Sequence, residues 1–347
     1  MEKITLQAVA ERAGVSLATA SKVMNQRADV SEATRHAVAE AAQHLGYSPR
    51  RARSLRKGPR SISIVFDTIS SPYALAILAG AQNAAARAGA DLIIDSTDQS
   101  YATHAPPLSR IWFRERAEMS CRGVIAVTTP ITENSCTWAD EAGLPLIVID
   151  PKLPASSAIS RSGALVRISS TNWAGGRAAV EHLIELGHRR IGLVTGSLDS
   201  APARERMEGY RSALEAAGIA FDQELVDGDS YTFEEGHRVA EQMLRIPDRP
   251  TAIFASADTL ALGVLRAASE HSFSVPDDLS LITFDDTPLA TWTDPQLTAV
   301  HQPLFSMGQV AVERALVLAE DPDRFARPFQ LETELVLRES TGPAAKR

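Results

Sequence analysis

The chain has 347 residues, 44% of them hydrophobic, with 35 Lys+Arg against 43 Asp+Glu, a formal charge of −8 and two cysteines. That length allows two or three domains with sizeable cores, and two cysteines cannot build a disulfide framework, so a reducing, cytoplasmic setting is expected. No apolar run reaches the ~18 residues of a membrane span and no apolar leader follows Met1, which excludes disordered, collagen-like and membrane classes.

The net charge conceals a split. Residues 1–60 sum to +6 and residues 61–347 to −14. Such an asymmetry fits a basic nucleic-acid module on an acidic body, or a charged patch with no partner.

Residues 5–46 read as three capped helices. Thr5, Ser16 and Ser31 stand where N-caps belong. Leu6, Val9, Ala10 and Ala13 form one apolar stripe, Ala20, Val23 and Met24 a second, and Val38, Ala41, Ala42 and Leu45 a third. Gly14 lies in the tight link between the first two helices, and Gly46 follows the third as its stop. Two helices on a short glycine turn fit helix-turn-helix spacing or a plain three-helix packing unit. In the first case the second helix enters the major groove with Leu17, Ala18 and Lys22 toward the bases. Lys22 can donate to guanine O6/N7, while Leu17 and Ala18 offer apolar contact. The small polar residues Ser16, Thr19, Ser21 and Asn25 suit phosphate contacts, which fix position without reading sequence, and the N-caps Thr5 and Ser31 are counted with them as DNA-binding candidates.

Residues 50–60 carry six basic residues and no acid. A solvated charge run is the ordinary explanation. Directly after a helix-turn-helix, however, it extends one electropositive surface. Arg53 and Leu55 are its expected DNA contacts, Leu55 as an apolar wedge in the minor groove. Gly58 and Pro59 break any helix before the next domain.

The stretch Thr5-Leu-Gln-Ala-Val-Ala-Glu-Arg-Ala-Gly-Val-Ser-Leu-Ala-Thr-Ala-Ser-Lys-Val-Met-Asn25 resembles the headpiece of the LacI/GalR family of bacterial transcription regulators. Tyr47-Ser-Pro-Arg-Arg-Ala-Arg-Ser-Leu55 resembles that family's hinge helix. The resemblance implies that Leu17, Ala18 and Lys22 face the bases and that Leu55 is the minor-groove leucine. Two departures stand out: Lys22 where Arg is more frequent, and a stretch from Pro49 to Leu55 about one residue short, which turns a helix by ~100°.

From residue 61 short apolar strands alternate with helices. Strands are expected at Ser61–Phe66, Asp91–Asp95, Gly123–Val127 and Pro145–Asp150, then at Ile191–Gly196, Glu224–Asp227, Ala252–Ala255 and Leu279–Phe284. Helices are expected at Ala74–Ala88, Trp173–Leu186, Arg204–Ala217, Glu234–Leu244 and Leu260–His271. The alternation implies parallel sheets with right-handed crossovers, in two similar doubly wound subdomains facing a cleft. The family resemblance continues through Ser71-Pro-Tyr73, Glu181–Ile191, Phe284-Asp-Asp286 and Leu297–Pro303. It implies a periplasmic-binding-protein fold whose chain crosses three times between subdomains. The expected organisation is therefore an all-α helix-turn-helix headpiece and hinge at 1–60, then an α/β effector-binding and dimerisation body at 61–347. Subdomain one takes about 61–170 and 296–325, subdomain two about 171–295 and 326–340.

Doubly wound sheets bind ligands at strand ends. Asp285 follows an apolar strand, and Arg206 lies early in the helix after the strand at 191–196. Together they could hold a polyhydroxylated ligand, or form an interdomain salt bridge that only shapes the hinge. By resemblance both occupy effector-contacting positions. Tyr73, Trp173, Tyr231 and Trp292 fall in or beside strand-to-helix loops, where an aromatic face can stack on a sugar ring or simply pack. Asp150 and Asn172 are further strand-end candidates. Ala257 stands where the family often has Asn, which removes one hydrogen bond.

There is no G-x-G-x-x-G after a strand, no phosphate loop, no H-E-x-x-H and no G-x-S-x-G. Cys121 and Cys136 lack the spacing of a zinc site. Neither an enzyme, a cofactor nor a metal is expected. The sequence reads as a cytoplasmic, homodimeric, ligand-responsive transcription regulator, a repressor of carbohydrate uptake or catabolism genes. Its partners would be a pseudo-palindromic double-stranded operator and a small-molecule effector, most simply a sugar, with no membrane contact. The alternative is a solute-binding protein of transport or chemotaxis without DNA function. The short tail Thr341–Arg347 offers no leucine heptad, which favours a dimer over a tetramer.

Overall fold

A computed structural model describes residues 6–24, 30–45, 60–98, 105–153, 165–321 and 328–344. Thr5, Asn25, Arg53 and Leu55 lie outside the described residues, as do the hinge and the Ser21 side chain. The chain divides into two compact units, residues 1–57 and 58–347.

The first unit holds α1 (Leu6–Ala13), α2 (Leu17–Met24) and α3 (Glu32–Leu45). Ser16 Oγ accepts the Thr19 amide at 3.1 Å and Ser31 Oγ the Thr34 amide at 3.3 Å, so both serines cap the helices that follow them. Gly14 ends α1 at φ +65°, a left-handed conformation that disfavours any side chain, and its amide donates to Glu11 O at 3.2 Å. The three expected stripes meet in a core of Val9, Ala10, Ala20, Val23, Val38, Ala41 and Ala42.

The second unit contains two six-stranded sheets. The strands of the first are β1 (Arg60–Phe66), β2 (Ala90–Ser96), β3 (Cys121–Val127), β4 (Leu146–Ile149), β5 (Val166–Ser170) and β11 (Phe329–Leu331), in the order β11-β5-β4-β3-β1-β2 and all parallel. Successive residues of β1 serve opposite faces. Ile62, Ile64 and Phe66 pack under α4 (Pro72–Arg87) and α12 (Leu304–Glu320), and Val65 packs toward α5 (Arg110–Glu118) and α6 (Glu133–Ala142).

The second sheet takes β6 (Ile191–Val194), β7 (Val226–Asp227), β8 (Ala252–Ala255), β9 (Ser280–Asp285), β10 (Thr298–His301) and β12 (Glu334–Val336), in the order β12-β10-β9-β8-β6-β7. Only β12 runs antiparallel, against β10. Helices α7 (Asn172–Glu185) and α8 (Ala201–Ala216) cover one face, and α9 (Phe233–Arg245) and α10 (Asp258–Glu270) the other. A short α11 (Leu289–Trp292) follows β9.

The late crossings differ from expectation. Residues 298–301 pair with β9 of the second sheet, so only α12 returns to the first, and residues 329–331 extend the first sheet beside β5. The chain therefore passes between sheets at residues 170–172, 302–303 and 332–333. Backbone pairing decides this: β5 exposes an edge that only β11 fills, a long-range choice that local apolar patterning does not encode. The crossings are tied together. Thr333 N donates to Thr171 Oγ1 at 3.0 Å, and Ser170 Oγ donates to Gln302 Oε1 at 2.6 Å.

Helices α7 and α8 meet through glycines. A Cβ on Gly209 would lie 2.2 Å from Trp173 O, and one on Gly176 would lie 2.6 Å from Arg206 O. The close approach sets the first turn of α7 beside the second turn of α8, and with it Asn172 beside Arg206.

Candidate functional sites: the exposed helix and the buried cleft cluster

On the first unit, α2 leaves Leu17 47% exposed, with Ala18 and Lys22 also exposed. The opposite face of the same helix is buried through Ala20 and Val23. Ser16 and Thr19 are engaged with each other, their oxygens 2.8 Å apart, and Ser31 with Thr34 at 2.8 Å. Each of these pairs thus helps to begin a helix, besides any contact it makes outside the protein.

In the body a polar cluster gathers where strand C-termini meet helix N-termini. Ser71 accepts the Ala74 amide at 3.1 Å and starts α4 with Pro72 in its first turn, which fixes Tyr73 at the sheet end. The Tyr73 hydroxyl donates to Asp150 Oδ2 at 2.7 Å, and Ser169 Oγ donates to Asp150 Oδ1 at 2.6 Å. Asn172 Nδ2 donates to Ser169 Oγ at 3.1 Å, and Arg206 Nε donates to Asn172 Oδ1 at 2.9 Å. Arg206 Nη1 donates to Ser256 O at 2.5 Å and lies 3.6 Å from Asp285 Oδ1. Gln302 Nε2 donates to Asp285 Oδ1 at 2.6 Å, while its Oε1 accepts from Ser170. Asn172 Nδ2 also donates to Ser170 O at 3.1 Å, which closes a path through Asn172, Arg206, Asp285, Gln302 and Ser170, with Ser169, Asp150 and Tyr73 as a branch from Asn172. That path is a ring of polar contacts that runs through two of the three chain crossings.

Arg206 is 3% exposed, and its guanidinium carbon sits 3.7 Å from the centre of the Phe284 ring. A buried guanidinium needs both counter-charge and acceptors, and here Asp285, Asn172, Ser256 O and the aromatic face supply them. Asp150 and Asp285 adopt positive φ, +43° and +100°. Such conformations cost ~1–3 kcal/mol each for a non-glycine residue and recur at functional sites.

Burial dominates the electrostatics. It pushes the Asp285 carboxyl up to about 7 against the opposing pull of Arg206, with Asp258 adding to the rise. Asp258 is itself pushed up to about 6 by burial, although Thr287 and Thr283 donate to it. Burial also raises Asp150, offset by hydrogen bonds from Ser169 and Tyr73. It raises the Tyr73 phenol well above its ordinary range, with Asp150 adding.

Tyr231 lies over Gly196, whose missing Cβ would sit 2.1 Å from the ring, and its phenol is raised by burial and influenced by Arg206, Asp285 and Asp150. Helix α10 starts on Ala257 with no side-chain cap, at the position where the missing Asn was noted.

Six of the eight expected effector residues thus come together: Tyr73, Asp150, Asn172, Arg206, Tyr231 and Asp285. The two tryptophans do not join their hydrogen-bonded ring. Trp173 is exposed on α7 with the Arg177 guanidinium 5.6 Å from its ring, and Trp292 on α11 is 77% exposed. Trp173 directly follows Asn172 on α7, so its side chain leaves the helix about 100° round from it.

Sequence reading missed Ser169, Gln302, Ser256 and Phe284, of which Gln302 stands inside the matching block Leu297–Pro303. Away from the cleft, His237, Glu241 and Glu270 could together face a cation. They are engaged in an ion-pair lattice, with His237 2.7 Å and Arg266 2.6 Å from Glu270, and with Arg245 and His271 on Glu241. His188 is buried and structural, bound to Thr251, Ser280 and Gly342.

Comparison with known proteins covers both units. Residues 5–50 match the family model of bacterial regulatory proteins of the lacI family, and residues 180–341 match that of a periplasmic binding protein-like domain. The chain is 32% identical over 337 residues to the HTH-type transcriptional repressor PurR of Vibrio atlanticus, covering 96% of this chain and 97% of the relative. It is 30% identical to PurR of Photobacterium profundum, covering 97% and 98%. Among solved structures it resembles the transcriptional regulator CelR in complex with cellobiose, at 28% identity and TM-score 0.71, covering 97% of this chain and all of that one. It also resembles the lac repressor dimer bound to operator and an anti-inducer, at 27% identity and TM-score 0.68, covering 98% and 100%. These relatives are transcription regulators. Among the described residues no helix is long and apolar enough to cross a membrane.

Proposed function

The chain belongs to the LacI family of DNA-binding transcription regulators, and from that premise we propose that it represses carbohydrate uptake or catabolism genes as a cytoplasmic homodimer, without enzymatic activity, under control of a sugar held at the Arg206–Asp285 cluster. The observation that carries the effector site is the buried ring of contacts through the crossings. A ligand that engages Arg206 or Asp285 must alter hydrogen bonds on which the hinge between sheets depends. The cellobiose complex of CelR supports a sugar. The operator-bound lac repressor dimer supports a homodimer.

In this mechanism each protomer sets α2 in a major groove of a pseudo-palindromic operator. Leu17, Ala18 and Lys22 face the bases, while Thr5, Ser16, Thr19, Ser21, Asn25 and Ser31 face phosphates. Arg53 and Leu55 of the hinge take the minor groove at the centre. Tyr73, Asp150, Asn172, Arg206, Tyr231 and Asp285 hold the effector. The effector binds one arrangement of the two sheets more tightly than the other, since equal affinity for both would shift nothing. The acidic body repels DNA and confines contact to the basic headpiece.

The test is a gel-shift titration at stated salt on fragments flanking the protein's own gene, with and without sugars. Sequence-specific binding that changes with a sugar in wild type, and no longer changes in Arg206→Ala, is the expected result. Absence of specific binding under every condition removes the regulator mechanism. A normal sugar response in Arg206→Ala removes the cleft assignment.

A further inference from the structure

Helices α9 and α10 lie backbone to backbone on one face of the second sheet. A Cβ on Gly236 would stand 2.2 Å from Leu260 O, and one on Gly263 would stand 2.4 Å from His237 N. So close an approach leaves no slack between the helices, and side chains at their seam are presented from a fixed frame. His237 and Glu241 are four residues apart on α9 and therefore share one face. Glu270 is the last residue of α10, and His271 is its C-cap. Because α10 begins at Asp258, beside the cleft cluster, its far end stands ~20 Å away from that cluster.

The imidazoles reach across the seam in both directions. His237 Nε2 lies 2.7 Å from Glu270 Oε2, and His271 Nε2 lies 2.9 Å from Glu241 Oε1. The His271 ring lies parallel to Phe273, with planes 8° apart. Guanidiniums take the other carboxylate oxygens: Arg266 Nε donates to Glu270 Oε1 at 2.6 Å, and Arg245 Nη2 donates to Glu241 Oε2. Two carboxylates and two guanidiniums balance in charge, so the imidazoles are not needed as counter-charges. What they add is ring nitrogens aimed at carboxylate oxygens.

Among the described residues, His237, Glu241 and Glu270 are the one group of three metal-ligating side chains whose donor atoms all lie within 4.8 Å of one another. Ligand atoms around a tetrahedral zinc ion, with bonds of ~2.0–2.1 Å, stand about 3.3 Å apart. To reach that spacing His237 and Glu270 part by about 0.6 Å and the other pairs close by about 1.5 Å at most. Side-chain rotation supplies such movements, since His237 and Glu241 are half-buried and Glu270 is exposed. The guanidiniums on the outer oxygens then orient the two carboxylates, a support that metal-bound carboxylates commonly have.

We propose that His237, Glu241 and Glu270 bind a divalent first-row transition metal ion, with zinc the best match, and that His271 holds Glu241 in place for it. An imidazole nitrogen with carboxylate oxygens suits zinc, cobalt or nickel, whereas calcium and magnesium take oxygen ligands. The ion joins the middle of α9 to the end of α10, and its binding is independent of what the cleft holds.

The experiment uses the full chain without an affinity tag, stripped with EDTA and desalted. Zn²⁺, Ca²⁺ and Mg²⁺ are titrated separately by calorimetry and by thermal denaturation. Wild type is compared with His237→Gln, Glu241→Gln, Glu270→Gln and, as a control, His36→Gln, which alters an exposed histidine of α3. The expected result is one zinc ion per chain and a raised melting temperature. Affinity falls at least tenfold in each of the three seam variants and stays the same in His36→Gln, and calcium and magnesium bind far more weakly. Co²⁺ on wild type is expected to show a visible spectrum distinct from that of the hydrated ion, complete at one equivalent and abolished by Zn²⁺. That spectrum reports ligation even if a variant folds poorly.

Absence of zinc binding overturns the proposal, as does an affinity unchanged in any of the three seam variants or equally reduced in His36→Gln. Calcium binding as tight as zinc would make the seam a plain acidic patch, and cobalt that binds with the spectrum of the hydrated ion would exclude the imidazole ligand; either result refutes the site.

Discussion

The headpiece and the cleft treat polar side chains in opposite ways. On α2, Lys22 stands exposed beside Leu17 and Ala18, on a unit whose core, among the described residues, is built of valines and alanines. In the body, Arg206 and Asp285 are buried, and their partners are supplied from four other positions of the fold, Asn172, Ser256, Phe284 and Gln302. A charge in water costs little to keep, so an exposed reading surface can be altered one residue at a time with local effect. A charge taken out of water must be matched at once, and each match depends on the next, so the cleft should respond as a unit.

The largest effect tests that unit directly. Arg206→Ala leaves Asp285 and Asp150 buried without a cation and is expected to lower stability by ~3–5 kcal/mol. Chemical denaturation measures this, and a loss under ~1 kcal/mol would mean the pair behaves like a surface ion pair.

Next, Gly209→Ala places a methyl 2.2 Å from Trp173 O and forces α7 away from α8. The expected cost is ~1–3 kcal/mol, with weakened effector binding because Asn172 moves off Arg206. Destabilisation with unchanged ligand affinity would separate the helix packing from the site.

On the exposed side, Lys22→Ala should weaken specific operator binding by ~1–3 kcal/mol and leave thermal stability unchanged. Equal loss on specific and random DNA would make Lys22 a phosphate contact instead. A smaller effect is expected for Ser16→Ala, ~1 kcal/mol of helix stability from the lost cap at Thr19, seen as a lower melting temperature.

The last prediction concerns pH. The folded Asp285 carboxyl, at about 7, lies above its ordinary 3.8, so between these values the folded chain binds the proton that the unfolded chain has lost. Its contribution is therefore full below about 3.8 and lost as pH rises through about 7. Asp285→Asn cannot ionise, and its melting temperature relative to wild type should rise between pH 5 and pH 8, two conditions roughly on either side of that titration. A difference constant with pH would show that Asp285 stays ionised throughout.

Much of the headpiece was legible locally. Ser16, Gly14 and the stripes Val9/Ala10, Ala20/Val23 and Val38/Ala41/Ala42 all act within a few residues of themselves, and all stand where periodicity and capping chemistry put them. In the body the central strands were legible for the same reason, since β3 and β8 are short apolar runs buried on both faces. The edge strands β11 and β12, with their exposed and half-buried residues, carry little such signal. Arg206 and Asp285 were found through strand-end position and family pattern. Gln302 and Ser169 were not, because nothing about a glutamine announces a partner in another crossing, Ser170, and nothing about a serine announces that it links Asn172 to Asp150.

The sequence by itself determined the basic headpiece, its capped helices, the alternation of strand and helix and the charge split near residue 60, because each rests on interactions a few residues apart. Only the tertiary structure decided that residues 298–301 join the second sheet and 329–331 the first, and that the two tryptophans stay outside the ring. Those outcomes depend on which strand edge is free and how closely α7 approaches α8, and burial then sets the charge state of whatever is enclosed.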